Sequence, residues 1–569
     1  MANLLMNVIG GIAQQSRRRF IHKTHHTEAE QASFLQALLQ TNQDTALGRD
    51  LGLAGVKSVA DFRQQVPVSS YADYEGYVDR AFQGEANVLT PDPVIYFNAT
   101  SGSTGKQKII PTTKRSRRAV ARANQVAMGF AAHAAQRQGR SLGKMLFTNS
   151  ARSFGRSPQG IPFGPISVSD LHLMGSVYQQ IFAHPFEVLH ATDSLTRNYL
   201  CLLFALRDRH LGIVSATFPV YALTFCDYLE TYAESFIEDL ATGTIAPWLN
   251  LEPSLRQTLE RQWHPNPQRA NELRHILQNE GYLRPKQAWP QMAFIATARG
   301  GTSNFYFNRF ADYFGDTPIF GGIYSSSEAT YAVHRDFGTD GVILAINSGF
   351  YEFVPESEWD AEQPQTCLPH ELNVGDRYRI LVSTLNGFYR YDIGDIVEVE
   401  GFYNTAPIFI FRHRRGGILS STTEKTTEFH LLQTMQRLQQ EFGITLENFC
   451  VTLSDAEIPP HYRINIELVP GQTFDQPHGF LHRFDQILAE LHASYARRRP
   501  EPIPDPRLRI LAPGSFNQIR QRLIDRGTLE SQIKLPHLTD DRHYLDGLTV
   551  EQEIRLAGQT TDPSLCIGT

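Results

Sequence analysis

The spacing of apolar residues divides the first two thirds of the chain into alternating helices and strands. Phe34, Leu35, Leu38 and Leu39 recur at the intervals of one helix face, which predicts a helix over residues 28–47. The same kind of pattern predicts further helices over residues 119–135, 199–206 and 221–240. Short apolar runs predict strands over residues 94–97, 212–217 and 292–297. Strands that alternate with helices indicate an α/β core.

Beyond residue 378 the pattern changes to consecutive strands, predicted over residues 378–382, 396–399 and 408–411. After Gly416 and Gly417 it changes again, to a helix over 431–442, an alternating strand over 462–468, a helix over 480–491 and a proline-rich connector over 500–513. These elements predict a compact α+β unit. Because 569 residues exceed one hydrophobic core, we expect a large domain over 1–413 and a smaller one over 414–569. The glycine pair would make the smaller domain mobile.

Composition narrows the class of protein. A hydrophobic share of 41%, a charged share of 20% and a net charge of -6 are typical of a globular protein without general affinity for nucleic acid or acidic membranes. No apolar run reaches bilayer length and no secretory leader is recognisable, so we expect neither membrane insertion nor export. Five scattered cysteines favour reduced thiols and a cytoplasmic location. The pattern does not indicate an oligomeric state.

Residues 100–108 form a loop rich in hydroxyls and glycines directly after a predicted strand. Glycines permit close backbone approach, and hydroxyls and amides can surround phosphate oxygens. The loop is not of the Walker type, because Gly102 and Gly105 are too close together and Gln107 follows Lys106. A dinucleotide-binding fingerprint is also absent, because no G-x-G-x-x-G motif opens a helix here. The sequence therefore predicts a phosphate-binding loop of another kind.

Four further motifs follow this loop at long intervals. They are Tyr324-Ser325-Ser326-Ser327-Glu328, Arg390-Tyr391-Asp392-Ile393-Gly394-Asp395, the stretch 419–426 that ends in Glu424-Lys425-Thr426, and the stretch 527–536 that ends in Gln532-Ile533-Lys534-Leu535-Pro536. In this order and spacing the chain resembles the adenylate-forming, acyl-activating superfamily, and most closely the Gretchen Hagen family of acyl acid amido synthetases. The resemblance implies a large N-terminal domain with mixed β-sheets flanked by helices, and a smaller mobile α+β domain.

The activity that the resemblance implies is a ligase reaction in two steps. ATP and Mg²⁺ activate a small carboxylic acid as an acyl-adenylate, and an amino acid amine then displaces AMP to form an amide. The first step creates a crowded, negatively charged phosphorus centre, so donors and cations must be aimed at the phosphates beforehand.

Residue roles come from the same resemblance. Glu328 would bind Mg²⁺ through oxygen and take part in catalysis, with Ser327 beside it on a phosphate. Tyr324 would stack on adenine, and Asp395 would accept hydrogen bonds from the ribose hydroxyls. The phosphate loop would contribute Thr100, Ser101, Gly102, Ser103, Thr104, Gly105 and Lys108.

The remaining roles belong to a glycine pair and to the second domain. Gly300 and Gly301 would form a wall beside adenine. From the smaller domain, Arg414 would lie near the ribose and Lys425 near a phosphate. Lys534, a mobile point charge, would be the principal catalytic residue at the α-phosphate and the carboxylate.

Each motif also has a structural interpretation. The loop could be a surface turn, the Arg390 motif a capped turn with a surface ion pair, Tyr324 a core residue and Lys534 a solvated lysine. The chain also departs from the family pattern at two places. Its phosphate loop is one residue shorter than in the plant members of the family. Gly416 and Gly417 stand where many acyl-activating enzymes have a charged hinge residue.

Two other functions remain open. The acyl group could pass to a thiol, of coenzyme A or a carrier protein, or the chain could be a nucleotide-binding scaffold without turnover. The sequence does not identify the acid or the acceptor of the acyl group. We expect the acyl pocket to draw on residues 119–128, on residues 214–223 and on the surroundings of Tyr331.

Overall fold

The computed structural model describes residues 2–100, 108–166, 168, 178–415, 417–422, 424–455, 457–499, 503–528 and 530–556. The chain divides into two compact units, unit 1 over Met1–Phe411 and unit 2 over Arg412–Thr569. No helix among the described residues is long and apolar enough to span a bilayer.

The helices of unit 1 surround its sheets. They are α1 (Ala2–Lys23), α2 (Thr27–Asn42), α3 (Ala46–Asp50), α4 (Val59–Gln65), α5 (Tyr71–Phe82), α6 (Lys114–Arg137), α7 (Tyr178–Ile181), α8 (Ser194–Leu206), α9 (Pro219–Thr231), α10 (Ala233–Thr242), α11 (Pro253–Gln262), α12 (Pro267–Glu280), α13 (Pro285–Ala288) and α14 (Phe310–Phe314). Short 3-10 helices cover Thr24–His26, Leu53–Gly55, Phe186–His190, Gly301–Arg309, Glu356–Glu358 and Pro369–Glu371.

The described residues of unit 1 form three sheets built from fifteen strands. The strands are β1 (Val94–Thr100), β2 (Lys108–Thr113), β3 (Met145–Leu146), β4 (Gly155–Arg156), β5 (Pro162–Gly164), β6 (Ile213–Ser215), β7 (Phe294–Ala296), β8 (Ile319–Phe320), β9 (Ile323–Ser325), β10 (Thr330–His334), β11 (Val342–Leu344), β12 (Phe350–Pro355), β13 (Arg377–Ser383), β14 (Tyr391–Tyr403) and β15 (Ala406–Arg414), the last of which extends into unit 2. Their orders are β2-β1-β5-β4, β3-β6-β7-β8 and β12-β13-β14-β15-β11-β10-β9.

The β3-β6-β7-β8 sheet is parallel throughout. Its strands are short and buried, as expected for a sheet covered by helices on both faces. The main core of unit 1 lies between the seven-stranded sheet and α2, α5 and α6. Where α1 crosses α6, a Cβ on Gly129 would lie 2.2 Å from the Ala13 carbonyl oxygen. The close helix crossing therefore requires glycine at this position.

Unit 2 is a smaller α+β unit. Its elements are β16 (Ile418–Leu419), β17 (Thr426–Thr427), α15 (Glu428–Phe442), β18 (Leu446–Leu453), β19 (Tyr462–Leu468), α16 (Pro477–Leu491), α17 (Ala493–Ala496), β20 (Arg507–Leu511), α18 (Ser515–Asp525), the 3-10 turn Glu530–Gln532 and β21 (Val550–Arg555). The sheet order is β18-β19-β20-β21, with β19 and β20 parallel and the other two pairs antiparallel. Gly443, at φ 61°, ends α15 in the left-handed conformation that glycine favours.

The predicted fold class is confirmed: mixed sheets flanked by helices, followed by an α+β unit. Three details of the sequence prediction are wrong. The helix predicted over 28–47 is α2 and ends at Asn42, because the Thr45 side chain accepts a hydrogen bond from the Gly48 amide and caps the separate helix α3. The helix predicted over 221–240 breaks at Tyr232 into α9 and α10. The proline-rich connector contains strand β20, which pairs with β19 and β21.

Candidate active site

The hairpin β1–β2 holds both ends of the predicted phosphate loop. Thr100 is the last residue of β1 and pairs with Lys108, the first residue of β2. The side chain of Thr100 and the predicted site residues Ser101, Gly102, Ser103, Thr104 and Gly105 lie outside the described residues. The structure thus fixes the two ends of the loop, at Thr100 and Lys108. The phosphate-binding roles of the loop residues stay predictions.

Lys108 is placed by Tyr71 on α5. The Lys108 ammonium lies 5.3 Å from the centre of the Tyr71 ring, a cation–π distance. The Tyr71 hydroxyl donates to the Ile109 carbonyl and accepts from the Ile109 amide at 3.1 and 2.9 Å. Burial raises the pKa of Tyr71, and the nearby Glu328 charge adds to the shift. Lys108 and Glu328 therefore belong to one neighbourhood of unit 1.

Two hydroxyls hold the carboxylate of Glu328. Ser326 Oγ donates to Oε2 at 2.6 Å, and the Tyr391 hydroxyl donates to Oε1 at 3.1 Å. Tyr331 extends this network through its hydroxyl, 2.7 Å from Ser326 Oγ. Burial, and then the charge of Glu328, raises the pKa of Tyr331 well above its usual value. The Glu328 carboxylate is half-buried and oriented, as a metal ligand requires.

Tyr324 and Asp395 form a direct pair. The Tyr324 hydroxyl donates to Asp395 Oδ2 at 2.6 Å, and the Asp395 residue is only 3% exposed. Asp395 lies in β14, where the Gly394 amide donates to Asp392 Oδ1 at 2.8 Å and Gly394 has φ 78°. The Tyr324 ring packs on Phe411, with ring centres 5.8 Å apart. The adenine and ribose residues expected from the sequence are therefore neighbours.

Ser327 and the glycine pair connect to this neighbourhood through backbone groups. Asn98 on β1 donates from Nδ2 to the Ser327 carbonyl at 3.5 Å, which ties the end of β1 to the Glu328 turn. Gly300 lies at φ 87°, and a Cβ there would be 3.8 Å from the carbonyl of Phe411. Gly301, at φ 55°, begins the following 3-10 helix. Gly300 thus approaches strand β15, whose Phe411 packs on Tyr324.

Arg390 forms a buried ion pair and not the surface pair weighed from the sequence. Its Nε lies 3.1 Å from Glu352 Oε2, and the two side chains are 4% and 1% exposed. Its guanidinium also donates to the carbonyls of Arg63 and Val66. This motif residue therefore anchors the segment that leads to Asp395.

Unit 2 carries the three remaining predicted residues. Arg414 ends β15, and Lys425 is exposed at φ 58° with its amide donating to Ser420 Oγ at 3.0 Å. Lys534 is also exposed, between the buried Ile533 and Leu535.

Hydrogen bonds to β18 hold the segment that follows Lys534. The Val451 amide donates to the His537 carbonyl, and the Thr539 amide donates to the Val451 carbonyl, at 2.9 and 3.2 Å. The Lys534 charge acts on Glu428, whose Oε1 accepts from the His537 amide at 3.0 Å. Burial opposes ionisation of Glu428, yet His537 and Lys534 hold its pKa below the usual value. The lysine thus projects from an anchored segment.

Sequence reasoning missed several residues of this neighbourhood. Tyr391 and Ser326 lie inside motifs that the sequence displayed, and their donor role could have been inferred from their place beside a carboxylate. Tyr71, Asn98 and Asn386, whose Nδ2 donates to the Glu328 carbonyl at 3.2 Å, carry no local signal. Only the fold brings them to the site.

The donor set around Glu328 fits Mg²⁺. Mg²⁺ prefers oxygen ligands and is commonly bound by one or two carboxylates together with substrate phosphates. Glu328 offers a carboxylate near the ends of the phosphate loop. Among the described residues no three His, Cys, Asp or Glu side chains form a metal-binding cluster. A metal held mainly by a nucleotide does not need one.

Family models cover most of the chain in three consecutive parts. The GH3 family N-terminal domain matches residues 16–319, the central domain residues 342–414 and the C-terminal domain residues 429–543. The chain belongs to the GH3 family.

Relatives within the GH3 family match over nearly their full length. Indole-3-acetic acid-amido synthetase GH3.3 of Arabidopsis thaliana is 25% identical over 558 residues, covering 91% of this chain and 90% of the relative. Indole-3-acetic acid-amido synthetase GH3.8 of Oryza sativa subsp. indica is 26% identical over 548 residues, covering 91% and 89%. The resemblance found in the motifs is thereby confirmed.

Solved structures show the same fold. The structure of AtGH3.15 acyl acid amido synthetase in complex with 2,4-DB has a TM-score of 0.85 at 24% identity, covering 96% of this chain and 98% of that one. A 2-hydroxyisobutyryl-CoA ligase in the postadenylation state has a TM-score of 0.51 at 13% identity, covering 95% and 90%. This GH3 family member therefore has the adenylate-forming fold.

Proposed function

We propose that this protein is an ATP- and Mg²⁺-dependent ligase that adenylates a small carboxylic acid and transfers the acyl group to an amino acid amine. The observation that carries the proposal is the convergence in unit 1 of the loop hairpin, the Glu328 carboxylate and the Tyr324–Asp395 pair. Relatives named as amido synthetases support the choice of an amine acceptor.

In the first half-reaction the carboxylate oxygen of the acid attacks the α-phosphorus of ATP, the bond to pyrophosphate breaks and a mixed anhydride forms. The loop between Thr100 and Lys108 binds the phosphates. Asp395, oriented by Tyr324, accepts hydrogen bonds from the ribose hydroxyls. Glu328 would hold Mg²⁺, which would neutralise charge at the phosphates.

In the second half-reaction the neutral amine of the amino acid attacks the acyl carbon, AMP leaves with the bonding electron pair, and the nitrogen loses a proton to solvent as the amide forms. The cations of unit 2 serve the nucleotide: Arg414 at the ribose, Lys425 at a phosphate and Lys534 at the α-phosphate. A lysine ammonium suits this task because it is a compact point charge on a flexible stem. We propose that unit 2 moves between the two half-reactions.

The test is pyrophosphate release from purified protein with ATP, Mg²⁺ and a panel of acids, followed by mass analysis of products formed with mixed free amino acids. We expect acid-dependent pyrophosphate release and an amide product. A broad panel with no release and no ATP binding would eliminate the proposal and leave a non-enzymatic role. A thioester formed with coenzyme A, without an amide, would favour the acyl-activating alternative.

We further propose that the protein works in the cytoplasm. The cysteines Cys201, Cys226, Cys367 and Cys450 are free thiols, and three of them are buried. Burial raises the pKa of Cys201 and Cys226, so these thiols are unreactive. Free structural thiols are typical of a reducing compartment. Fractionation of cells that express the protein would test the location.

A further inference from the structure

A cleft of about 700 Å³ opens on unit 1 between α1, α2 and α6. Its floor is apolar and includes Phe20, Val126 and Val333, whereas its rim is strongly basic. The rim carries Arg19 and Lys23 from α1, and Arg115, Arg118 and Arg122 from α6. An apolar floor with a cationic rim suits a ligand that has an apolar body and an anionic group.

The positive charge of this rim is largely uncompensated. Glu30 is the one carboxylate among the described residues that line the cleft, and it pairs with Lys23 at 2.6 Å. None of the ion pairs in the described part of the chain involves the four arginines of the rim. Arg118 and Arg122 stand one helical turn apart on the exposed face of α6. Four like charges around one opening are mutually repulsive, and a bound anion relieves that repulsion.

The cleft adjoins a separate cavity that reaches Glu328. This second, small cavity is lined by Ala119, Glu328 and Asn386, among other residues, and Ser348 and Leu385 line both cavities. On α6 the small residues Ala119 and Ala123, one turn apart, face the small cavity and the cleft respectively. The α6 stretch from Ser116 to Gln125 that lines the two cavities rises about 14 Å. A carboxylic acid can therefore place one end near Glu328 and the other near the arginines.

The sequence predicts that the acyl pocket draws on residues of α6 and on the neighbourhood of Tyr331, and residues from both regions line this cleft. The 214–223 stretch is not among the described residues that line it. The sequence contains a basic run at the start of α6, residues 114–118. Such a run alone is typical of a solvated helix face. Its role depends on the apolar floor beside it.

We propose that the acid activated by this protein carries a second anionic group, separated from the reacting carboxylate by an apolar chain or ring, and that Arg118 and Arg122 bind that group. This inference rests on the proposed ligase function, because it identifies the cleft as the acyl end of the same site. The reacting carboxylate forms the anhydride as described above, and the second anion undergoes no chemistry.

The test compares octanoate with octanedioate, which share an apolar chain and differ in the second carboxylate. We expect kcat/KM for pyrophosphate release to be at least tenfold higher with octanedioate, which corresponds to about 1.4 kcal/mol. In the double variant R118Q/R122Q the ratio should fall to about one. Raising the salt concentration should lower the ratio in the unaltered protein, because Arg118 and Arg122 are exposed.

The matched control is the double variant R18Q/K114Q. It also removes two positive charges, one from α1 and one from α6, at exposed positions that are not among the residues lining the cleft. We expect it to keep the preference for octanedioate. An unaltered protein that prefers octanoate or does not discriminate, or a control that loses the preference equally, would overturn the inference.

Calorimetric binding separates this inference from the ligase proposal. Octanedioate should bind the unaltered protein more tightly than octanoate, and this difference should vanish in R118Q/R122Q, whether or not pyrophosphate is released. Charge-dependent binding without pyrophosphate release from any acid would overturn the ligase proposal and support the anion site. Pyrophosphate release without charge-dependent binding would support the ligase proposal and overturn the anion site.

Discussion

At the scale of single residues, tyrosine hydroxyls fix the two carboxylates that we expect to serve the nucleotide. Tyr324 donates to Asp395 and Tyr391 donates to Glu328. A carboxylate that is already hydrogen-bonded in the free protein loses less freedom when it binds a ligand. Sequence reasoning gave roles to Tyr324, Asp395 and Glu328 but none to Tyr391, because a sequence does not specify which hydroxyl donates to which carboxylate oxygen.

Tyr324→Phe should weaken nucleotide binding about tenfold. The change removes a hydroxyl 2.6 Å from a carboxylate that is nearly fully buried, and a hydrogen bond to a charged group contributes about 1.5–3 kcal/mol. The ring remains, so stacking is preserved. Calorimetry with a non-hydrolysable ATP analogue measures the effect. Unchanged affinity would contradict the positioning of Asp395 by this hydroxyl.

Glu328→Gln should raise the Mg²⁺ concentration needed for half-maximal pyrophosphate release by about tenfold or more, because an amide oxygen is a weaker ligand for a hard cation than a carboxylate. A magnesium titration at saturating ATP measures the shift. Glu356→Gln removes the same charge from an exposed position and is the matched control. If both variants respond alike, Glu328 is not the metal ligand.

At the scale of elements, the Arg390–Glu352 pair joins strand β12 to the segment that leads into β14. Glu352 also accepts a hydrogen bond from Thr366 Oγ1 at 2.6 Å. Both charges are buried, so the pair depends on mutual compensation. Arg390 has φ 44°, a left-handed conformation that an arginine adopts only when its surroundings enforce it. The ion pair is part of those surroundings.

Glu352→Ala should lower the free energy of unfolding of unit 1 by about 3–5 kcal/mol, because it leaves the Arg390 charge buried without its partner. Urea denaturation followed by tryptophan fluorescence measures this loss. The comparison is Glu85→Ala, which breaks the Arg80–Glu85 pair whose side chains are 44% and 49% exposed. Glu85→Ala should leave the midpoint of the urea denaturation curve nearly unchanged. Equal effects would mean that burial of the Arg390 pair is not decisive.

Glu424 makes the stability of unit 2 dependent on pH. Burial opposes its ionisation, but hydrogen bonds from the Tyr462 hydroxyl and from the amides of Ser421 and Thr422 hold its pKa below the usual 4.5. Because the folded-state pKa is depressed, the stabilisation is present above the unfolded-state pKa. It is lost as the pH falls through the folded-state pKa.

We expect unit 2 to lose stability as the pH falls below the usual glutamate pKa of 4.5, and Glu424→Gln to reduce that dependence while lowering stability at pH 7. Denaturant midpoints measured from pH 7 to pH 3 in both proteins test this. Parallel curves would show that Glu424 does not carry the dependence. Asp525→Asn changes an exposed carboxylate on α18 and should reproduce the curve of the unaltered protein.

The sequence predicted elements well where local pattern decides them. The helix ended by Gly443 and the alternating strand β19 both follow from spacing alone. The sequence prediction failed where distant partners determine the structure. Strand β20 lies in a proline-rich stretch and forms because β19 and β21 supply hydrogen bonds on both sides. The hydrogen bonds of Asn98 and Asn386 to the Glu328 turn depend on long-range packing in the same way.

At the scale of the whole molecule, the expected chemistry is divided between two units. Unit 1 contains the carboxylates and the ends of the phosphate loop, and unit 2 contains Lys425 and Lys534. The motif order suggested this division, since the nucleotide motifs precede the change to an α+β pattern and the lysines follow it. The sequence could not predict that Lys534 would be followed by a segment attached to β18.

Lys534→Ala should slow pyrophosphate release by orders of magnitude while ATP affinity changes little. A contact formed mainly in the transition state affects the rate more than ground-state binding. The lysine lies between Ile533 and Leu535, which are 3% and 6% exposed, so the segment stays anchored when its exposed side chain is truncated. Single-turnover pyrophosphate release and calorimetric ATP binding, measured on the same preparation, separate the two quantities. Arg526→Ala removes another exposed cation of unit 2 and should leave both unchanged. A near-normal rate in Lys534→Ala would show that Lys534 is not needed for adenylation, and an equal loss of ATP affinity would make the lysine a binding residue.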